Sequence, residues 1–512
     1  MRFPAPIIGG MFRVPTRLLE GRVTLDQLDK KLTVKHVDRD GVTHTVKMLT
    51  IRNGWAIMPR HFAKQNFPDL WNAARRKVTD VVLGAYDLPI RIKPRDKQQG
   101  AFVDGIMDRI DENVCTDLQA NAATGSGKTA SSCMVQSQMG LGPVLVVVPT
   151  NRIKEAWLGD EDEGKGLRFF YGSDWVERNV GIAQQDRCDY QGKAIVIAMG
   201  PSLCSRKYDD EFYSNFSAMF IDELHTFATP VLSQVLGMFN CAVRVGLTAT
   251  PRKGALQRVI EAHLGPPAIV STQQVLKPVI HRVLFDRECN IYSRPGEDES
   301  GDGEGEPQPI DNRDSLITIF SREKRRQELL ADIIFYRGYL RGRNFVGLSD
   351  RTDQLLDLKR RLVEMGVPED TIGIYVDKYR TGETKLTGKL ETVNPKTKKT
   401  VSLHFRGLDG FKNKSAAQVY VRKQVEAFAK KHGVPIVNVY ITEKFSPFER
   451  KVTQEEYDYI EKHCQIILAT YGSFRMGIDV RRLDMGMELS PRGDVEQPIG
   501  RVLRIDPGKP VP

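Results

Sequence analysis

Ala122-Ala123-Thr124-Gly125-Ser126-Gly127-Lys128-Thr129 is the stretch that decides how this 512-residue chain is read. Gly125 and Gly127 let backbone N–H groups turn inward around a triphosphate, and Thr124 and Ser126 complete the cradle. Lys128 reaches the β- and γ-phosphates, and Thr129 offers a hydroxyl to Mg2+. Alone, the motif is a moderate signal. Its neighbours along the chain make it a strong one.

From Ala218 to Thr226 the sequence Ala-Met-Phe-Ile-Asp-Glu-Leu-His-Thr is a short apolar run that ends in two carboxylates. A buried parallel strand delivers acids in this way to a site at its C-terminal end. Asp222 suits a water-mediated hold on Mg2+, and Glu223 suits acceptance of the proton of an attacking water. Further on, Gly246-Leu247-Thr248-Ala249-Thr250-Pro251 sets two hydroxyls after another apolar stretch. Near the C-terminus, Gln497-Pro498-Ile499-Gly500-Arg501-Val502-Leu503-Arg504 spaces two arginines by three, one face of a helix, where both guanidinium groups could meet a γ-phosphate.

In this order the motifs resemble those of superfamily 2 helicases and translocases, from about Ile92 to Asp506. The resemblance assigns Val148-Pro149-Thr150 to motif Ia and Asp222-Glu223-Leu224-His225 to a DEAH-like motif II. Thr248 and Thr250 fall in motif III, which couples the nucleotide to the track, and Val346-Gly347-Leu348-Ser349 looks like motif IV. Ala469-Thr470 with Gly477-Ile478-Asp479 looks like motif V, and Gln497 to Arg504 like motif VI. It implies a catalytic set of Lys128, Glu223, Gln497, Arg501 and Arg504, with Asp479 on the nucleotide. Arg95-Asp96-Lys97-Gln98 resembles the adenine-reading segment of the XPB, RecG and phage UvsW group, which implies Gln98 on the base. ATP and Mg2+ are the implied cofactors.

The fold expected is α/β: two RecA-like parallel-sheet domains in tandem, a small α+β N-terminal domain, and a basic insertion in the second motor domain. The boundaries are 1–91 for the N-terminal domain, 92–285 for the first motor domain, 286–315 for an acidic Gly- and Pro-rich mobile segment, and 316–512 for the second motor domain. Apolar runs at Val144–Val148, Ala194–Ala198, Met219–Ile221 and Val243–Leu247 read as parallel strands, as do Asn344–Leu348 and Gln465–Ala469 in the second domain. In the N-terminal segment, which resembles the small domains preceding UvsW-like motors, Leu32–His36, Thr45–Leu49 and Trp55–Met58 read as strands and Asp69–Val78 as a helix. Motif VI lies close to the C-terminus, so a specificity module is expected before the motor or within it.

The insertion spans about 375–440. Between Lys378 and Lys414 it holds ten basic residues against three acidic ones, a net of +7. Two strand-like segments flank Asn394-Pro395-Lys396-Thr397-Lys398-Lys399, which reads as a hairpin with a basic tip. Lys396, Lys398 and Lys399 are candidate nucleic-acid contacts; a solvated hairpin whose lysines blunt a sheet edge is the plainer alternative.

The net charge of +10 and pI near 9.1 favour a polyanionic partner. DNA, branched, forked or single-stranded, is the leading candidate and RNA the near rival, gripped near Pro149, Thr150 and Arg152 on one domain and Thr470 on the other. The seven cysteines never fall as Cys-x-x-Cys, which argues against a zinc or iron–sulfur site. Without a long apolar run or a signal sequence, the chain is expected in the cytoplasm (of the host, if phage-encoded), acting as a monomer. The expected function is unwinding or branch migration of DNA in replication, recombination or repair. Alternatives are an RNA helicase, the motor subunit of a restriction complex, and a scaffold that no longer turns over ATP. Intact Lys128, Glu223 and Arg504 argue against the scaffold.

Overall fold

A computed structural model describes residues 4–37, 42–111, 114–123, 125–249, 251, 254–271, 279–283, 313–393, 398, 400–475, 480, 482–490 and 502. These fall into two compact units, one up to His281 and the other built mainly from 313–474 and 483–490. Most of the acidic segment, residues 286–312, lies outside the described residues.

The first unit is organised by an eight-stranded sheet. Its order is Arg187–Cys188, Val180–Gln184, Ile195–Met199, Val144–Val148, Ala218–Ile221, Val243–Thr248, Thr116–Ala122 and Pro267–Ser271. Every pairing is parallel except that of the short first strand. Val144–Val148 and Ile195–Met199 are buried along their whole length, which is why they read as unbroken apolar runs rather than as alternating ones. Helices Lys97–Met107, Lys128–Gln138 and Asn151–Leu158 flank the sheet, giving an α/β fold of RecA-like type.

The N-terminal segment has strands of its own and shares a core with the large sheet. Its strands Ile7–Ile8, Phe12–Pro15, Thr50–Arg52, Trp55–Met58 and Arg75–Arg76 make a separate five-stranded sheet, and Thr33–Val37 pairs with Thr43–Lys47. Yet Phe12, Val14, Met58 and Leu70 belong to the same core as Leu145, Met219 and Ile221 of the large sheet. The helix expected at Asp69–Val78 is shorter, Pro68–Asn72, because the chain then turns so that Arg75 and Arg76 pair in parallel with Ile7 and Ile8.

A buried charge cluster fastens this segment down. Asp117, on the strand Thr116–Ala122, accepts from Arg244 Nε at 2.6 Å and from Arg60 Nε at 3.2 Å. Arg60 comes from the N-terminal helix Arg60–Asn66, and its Nη1 also donates to Cys241 O at 2.6 Å. Arg244 donates to Gly10 O at 3.0 Å and to His263 O at 3.1 Å. Burial alone would raise the Asp117 pKa, but the guanidinium charges of Arg244 and Arg60 outweigh it and hold the carboxyl far below its usual range.

His263, buried beside this cluster, is pushed down to about 3 by burial and by Arg244. A folded pKa below the unfolded value of about 6.5 means that the unfolded chain binds the extra proton between those limits. Stability from this group is full above about pH 6.5 and is lost as pH falls toward 3. Thermal melts of wild type and His263→Gln from pH 7.5 to 4.5 should therefore diverge, with wild type losing stability faster on acidification. Parallel curves would mean that another group sets the acid limit.

The second unit has a four-stranded parallel sheet in the order Ile372–Tyr375, Ile466–Thr470, Phe345–Ser349, Met485–Glu488. Helix Thr352–Glu364 packs on it through Leu355, Leu358 and Leu362. A second sheet in this unit is antiparallel, with Lys378–Val393 between Thr400–Phe411 and Tyr440–Lys451. Helix Lys414–His432 covers one face of it. Asn413 Oδ1 caps the helix by accepting from Ala416 N at 2.9 Å, and Gly433 ends it at φ 64°. Val421, Val425 and Phe428 bury against Leu386, Leu390 and Phe405.

Candidate nucleotide site

Three adjacent strands end together. Thr116–Ala122 leads into the phosphate loop, Val243–Thr248 lies beside it, and Ala218–Ile221 follows on the far side. Parallel strands release their chains at the same edge, so the loop, Thr248 and the Asp222-Glu223 pair share one rim of the sheet.

Gly125 and Gly127 take φ of 79° and 85°, and Gly127 opens helix Lys128–Gln138. The left-handed backbone accounts for glycine at both positions. At Gly127 there is a second reason: a Cβ would stand 2.3 Å from Gln99 Nε2. Gln99 is buried and ties down the loop. Its Nε2 donates to Gly127 O at 3.3 Å and to Ser126 O at 3.4 Å, while its Oε1 accepts from Arg95 N at 2.7 Å. Arg95 Nη1 reaches Gly125 O at 3.3 Å. Gln98, the residue singled out in the sequence, is exposed on the same helix. Sequence reading missed Gln99; the doubled glutamine just upstream of the loop was its only signal. Lys128 Nζ donates to Ala122 O at 3.3 Å, and Thr129 is half-buried in the first helical turn.

Asp222 is buried at the end of its strand. Its Oδ1 accepts from Glu223 N at 2.8 Å and its Oδ2 from the indole of Trp157 at 2.8 Å. Burial and the neighbouring Glu223 raise its pKa, opposed by Lys128 and by these hydrogen bonds. Lys128 and Asp222 therefore share one electrostatic environment. Glu223 sits in the left-handed region, φ 47° and ψ 47°, a conformation that L-residues adopt at a cost of about 1–2 kcal/mol. Strain of this kind collects at functional sites. Its Oε2 is buried without a hydrogen-bond partner, 3.4 Å from His225 Nδ1. His225 Nδ1 in turn shares a hydrogen bond with Thr248 Oγ1 at 3.0 Å. The hydroxyl of Thr129 and the carboxylate of Asp222 are hard oxygen donors of the type that holds a divalent cation, and the unpartnered Glu223 oxygen is an acceptor suited to a water proton.

Thr150 caps helix Asn151–Leu158, its Oγ1 accepting from Ile153 N at 3.4 Å, and Arg152 is half-buried in the first turn. In the second unit, Thr470 ends its strand, donating to Ser473 Oγ at 2.9 Å and accepting from Ser473 N at 3.3 Å. Lys398 is exposed, with φ 57°. Thr124, Thr250, Asp479, Gln497, Arg501, Arg504, Lys396 and Lys399 lie outside the described residues. Within the antiparallel sheet and its helix, Lys378 to Lys451, there are seventeen basic residues against six acidic, a net of +11 where the whole chain carries +10. The rest of the chain is thus close to neutral.

The stretch that carries this site is matched by a family model. Residues 91–253 match the family model described as type III restriction enzyme, res subunit. Similar curated proteins include the putative ATP-dependent RNA helicase QP509L of African swine fever virus, 27% identical over 174 residues, 34% of this chain and 31% of that protein. Another is the putative ATP-dependent RNA helicase L396 of Acanthamoeba polyphaga mimivirus, 24% identical over 209 residues, 41% of this chain and 39% of that one. The chain therefore spans roughly a third of the length of the curated relatives it matches. Among solved structures, UvsW of bacteriophage T4 is 14% identical, covering 93% of this chain and 83% of that chain at a TM-score of 0.31. The Hef helicase domain of Pyrococcus furiosus is 11% identical, covering 80% and 92% at a TM-score of 0.40. Scores of this size define no shared arrangement of the units. In its ordered motifs and in the match over residues 91–253, the chain is similar to the superfamily 2 helicases. No helix among the described residues is long and apolar enough to cross a membrane.

Proposed function

We propose that the chain is an ATP-dependent helicase or translocase that couples ATP hydrolysis to movement along DNA, for unwinding or branch migration in replication, recombination or repair. The observation that carries this reading is the common rim of three adjacent strands, which gathers Lys128, Thr248 and the Asp222-Glu223 pair. In this reading Thr124 to Thr129 cradle the triphosphate, Thr129 and Asp222 hold Mg2+, and Glu223 takes the proton of the attacking water. The cation, when bound, neutralises charge on the β- and γ-phosphates. Arg501, Arg504 and Gln497 complete the site, Asp479 and Gln98 contact the nucleotide, and Thr248 and Thr250 relay its state. Backbone groups near Pro149, Thr150, Arg152 and Thr470 grip the track, and the protein works as a monomer in the cytoplasm.

DNA is favoured by the resemblance of Arg95 to Gln98 to the XPB, RecG and UvsW group. RNA is the second reading, favoured by the printed names of the viral relatives. ATPase assays run in parallel with single-stranded, forked and four-way-junction DNA and with RNA separate the two. Stimulation by RNA alone would overturn the DNA assignment, and ATPase equal to that of a Lys128→Ala control would overturn the motor reading itself.

The basic sheet and helix supply the expected polyanion contact. Replacing Lys396, Lys398 and Lys399 together with Ala should weaken binding to forked DNA and impair unwinding more than basal ATPase. Each lysine–phosphate interaction removed should flatten the slope of log affinity against log salt by about 0.7 to 0.9. An unchanged slope would make the hairpin tip a solvated surface.

A further inference from the structure

Asp222 is fixed from outside its own strand. Besides the Glu223 amide on Oδ1, its Oδ2 accepts the indole N–H of Trp157 at 2.8 Å. Trp157 is 1% exposed and Asp222 7%, so water does not compete for this bond. Core packing alone asks only for a large ring. An indole buried with its N–H aimed at a carboxylate adds a charge-assisted hydrogen bond that phenylalanine lacks.

Trp157 stands on helix Asn151–Leu158, whose capped N-terminus carries Thr150 and Arg152. Trp157 lies seven residue steps along from Thr150, roughly 10 Å at the helical rise. The two acids of the pair are thereby tied to different elements. Asp222 is tied to this helix through Trp157, and Glu223 lies against His225, which bonds Thr248.

We infer that Trp157 is a positioning residue. It sets the rotamer of the cation-binding carboxylate and links it to the helix whose first turn meets the nucleic-acid track. The inference rests on the roles given to Asp222, Thr150 and Arg152 under the proposed function. Movement of the helix on binding nucleic acid changes the aim of Asp222, so occupancy of the track and affinity for the cation become coupled, and by linkage the coupling acts in both directions.

Trp157→Phe keeps the ring and removes the donor. One hydrogen bond to a charged group corresponds to a factor of about ten or more. Calorimetric titration should show Mg2+·ADP binding weakened about tenfold in the variant while metal-free ADP binds as in wild type. The Mg2+ concentration for half-maximal ATPase should rise by a similar factor, and stimulation by nucleic acid should fall. A packing role would instead lower the melting temperature and shift binding with and without Mg2+ equally; that result overturns the inference. If wild type shows no Mg2+-dependent nucleotide binding, the reading of the site fails and takes this one with it. Normal Mg2+ dependence in both proteins sinks only the role of Trp157. A second test avoids altering the bond. With Trp55, Trp71 and Trp175 changed to Phe, Trp157 is the sole indole, and its emission should change on adding Mg2+·ADP and again on adding an oligonucleotide. Emission unmoved by either would also overturn the coupling.

Discussion

Glu223→Gln should abolish ATP turnover while leaving ATP bound, with a fall in kcat of at least about 10²-fold, the range for loss of a general base. The substitution keeps the shape of the side chain and removes the unpartnered buried carboxylate oxygen that the reading uses as proton acceptor. Lys128→Ala should be as inactive for a different reason. It removes the charge on the β- and γ-phosphates, so nucleotide affinity falls as well, and a binding titration tells the two variants apart. A third variant exploits the backbone. Glu223 holds φ 47°, so Glu223→Gly relaxes a left-handed residue and should raise stability by about 1 kcal/mol while ending turnover. Stability gained as function is lost is the signature of strain kept for chemistry. Hydrolysis near the wild-type rate in Glu223→Gln would remove that carboxylate from the mechanism.

What was legible in the sequence follows from how each element achieves its burial. Val144–Val148 and Ala218–Ile221 are buried throughout and show as apolar runs, and the equally buried Val243–Thr248 does so apart from Arg244, each ending at motif residues. Thr116–Ala122 is as central as these, yet it reads Thr-Asp-Leu-Gln-Ala-Asn-Ala and gives no apolar run. Two of its polar side chains are matched from distant parts of the chain. Asp117 meets Arg60 and Arg244, and Gln119 donates to Gly265 O. A polar residue whose partner lies far away along the chain leaves no local periodicity to read.

The same logic separates Gln98 from Gln99. Both occupy the first turn of one helix, and only the orientation of that turn decides which side chain enters the phosphate loop. The N-terminal segment was legible as strands but not as part of the core of the large sheet, because the residue that fastens it, Arg60, looks like any surface arginine until its four carbonyl and carboxylate partners are placed around it.

Asp117→Asn should be among the most damaging substitutions outside the nucleotide site. It leaves the guanidinium groups of Arg60 and Arg244 buried with no carboxylate between them. Removing one partner of a buried ion pair costs about 3–5 kcal/mol, a large part of a typical domain's stability. Denaturant melts should show that loss. Limited proteolysis should show early cuts in the N-terminal segment, since Arg60 also holds Gly9 and Cys241 by their carbonyls. Replacing all three charges with apolar residues of similar size should cost less than the single change, because no charge is then stranded. The folded pKa of Asp117 is depressed, so its contribution is complete above the unfolded value of about 4 and is lost only as pH falls through the folded value. The gap between wild type and Asp117→Asn should therefore stay constant from pH 6 to 8 and narrow only in strong acid. A gap that closes near pH 6 would mean that His263, not this carboxylate, governs the cluster. A gap below about 1 kcal/mol, the size of an ordinary surface pair, would mean that the arginines hold the N-terminal segment through the carbonyls alone.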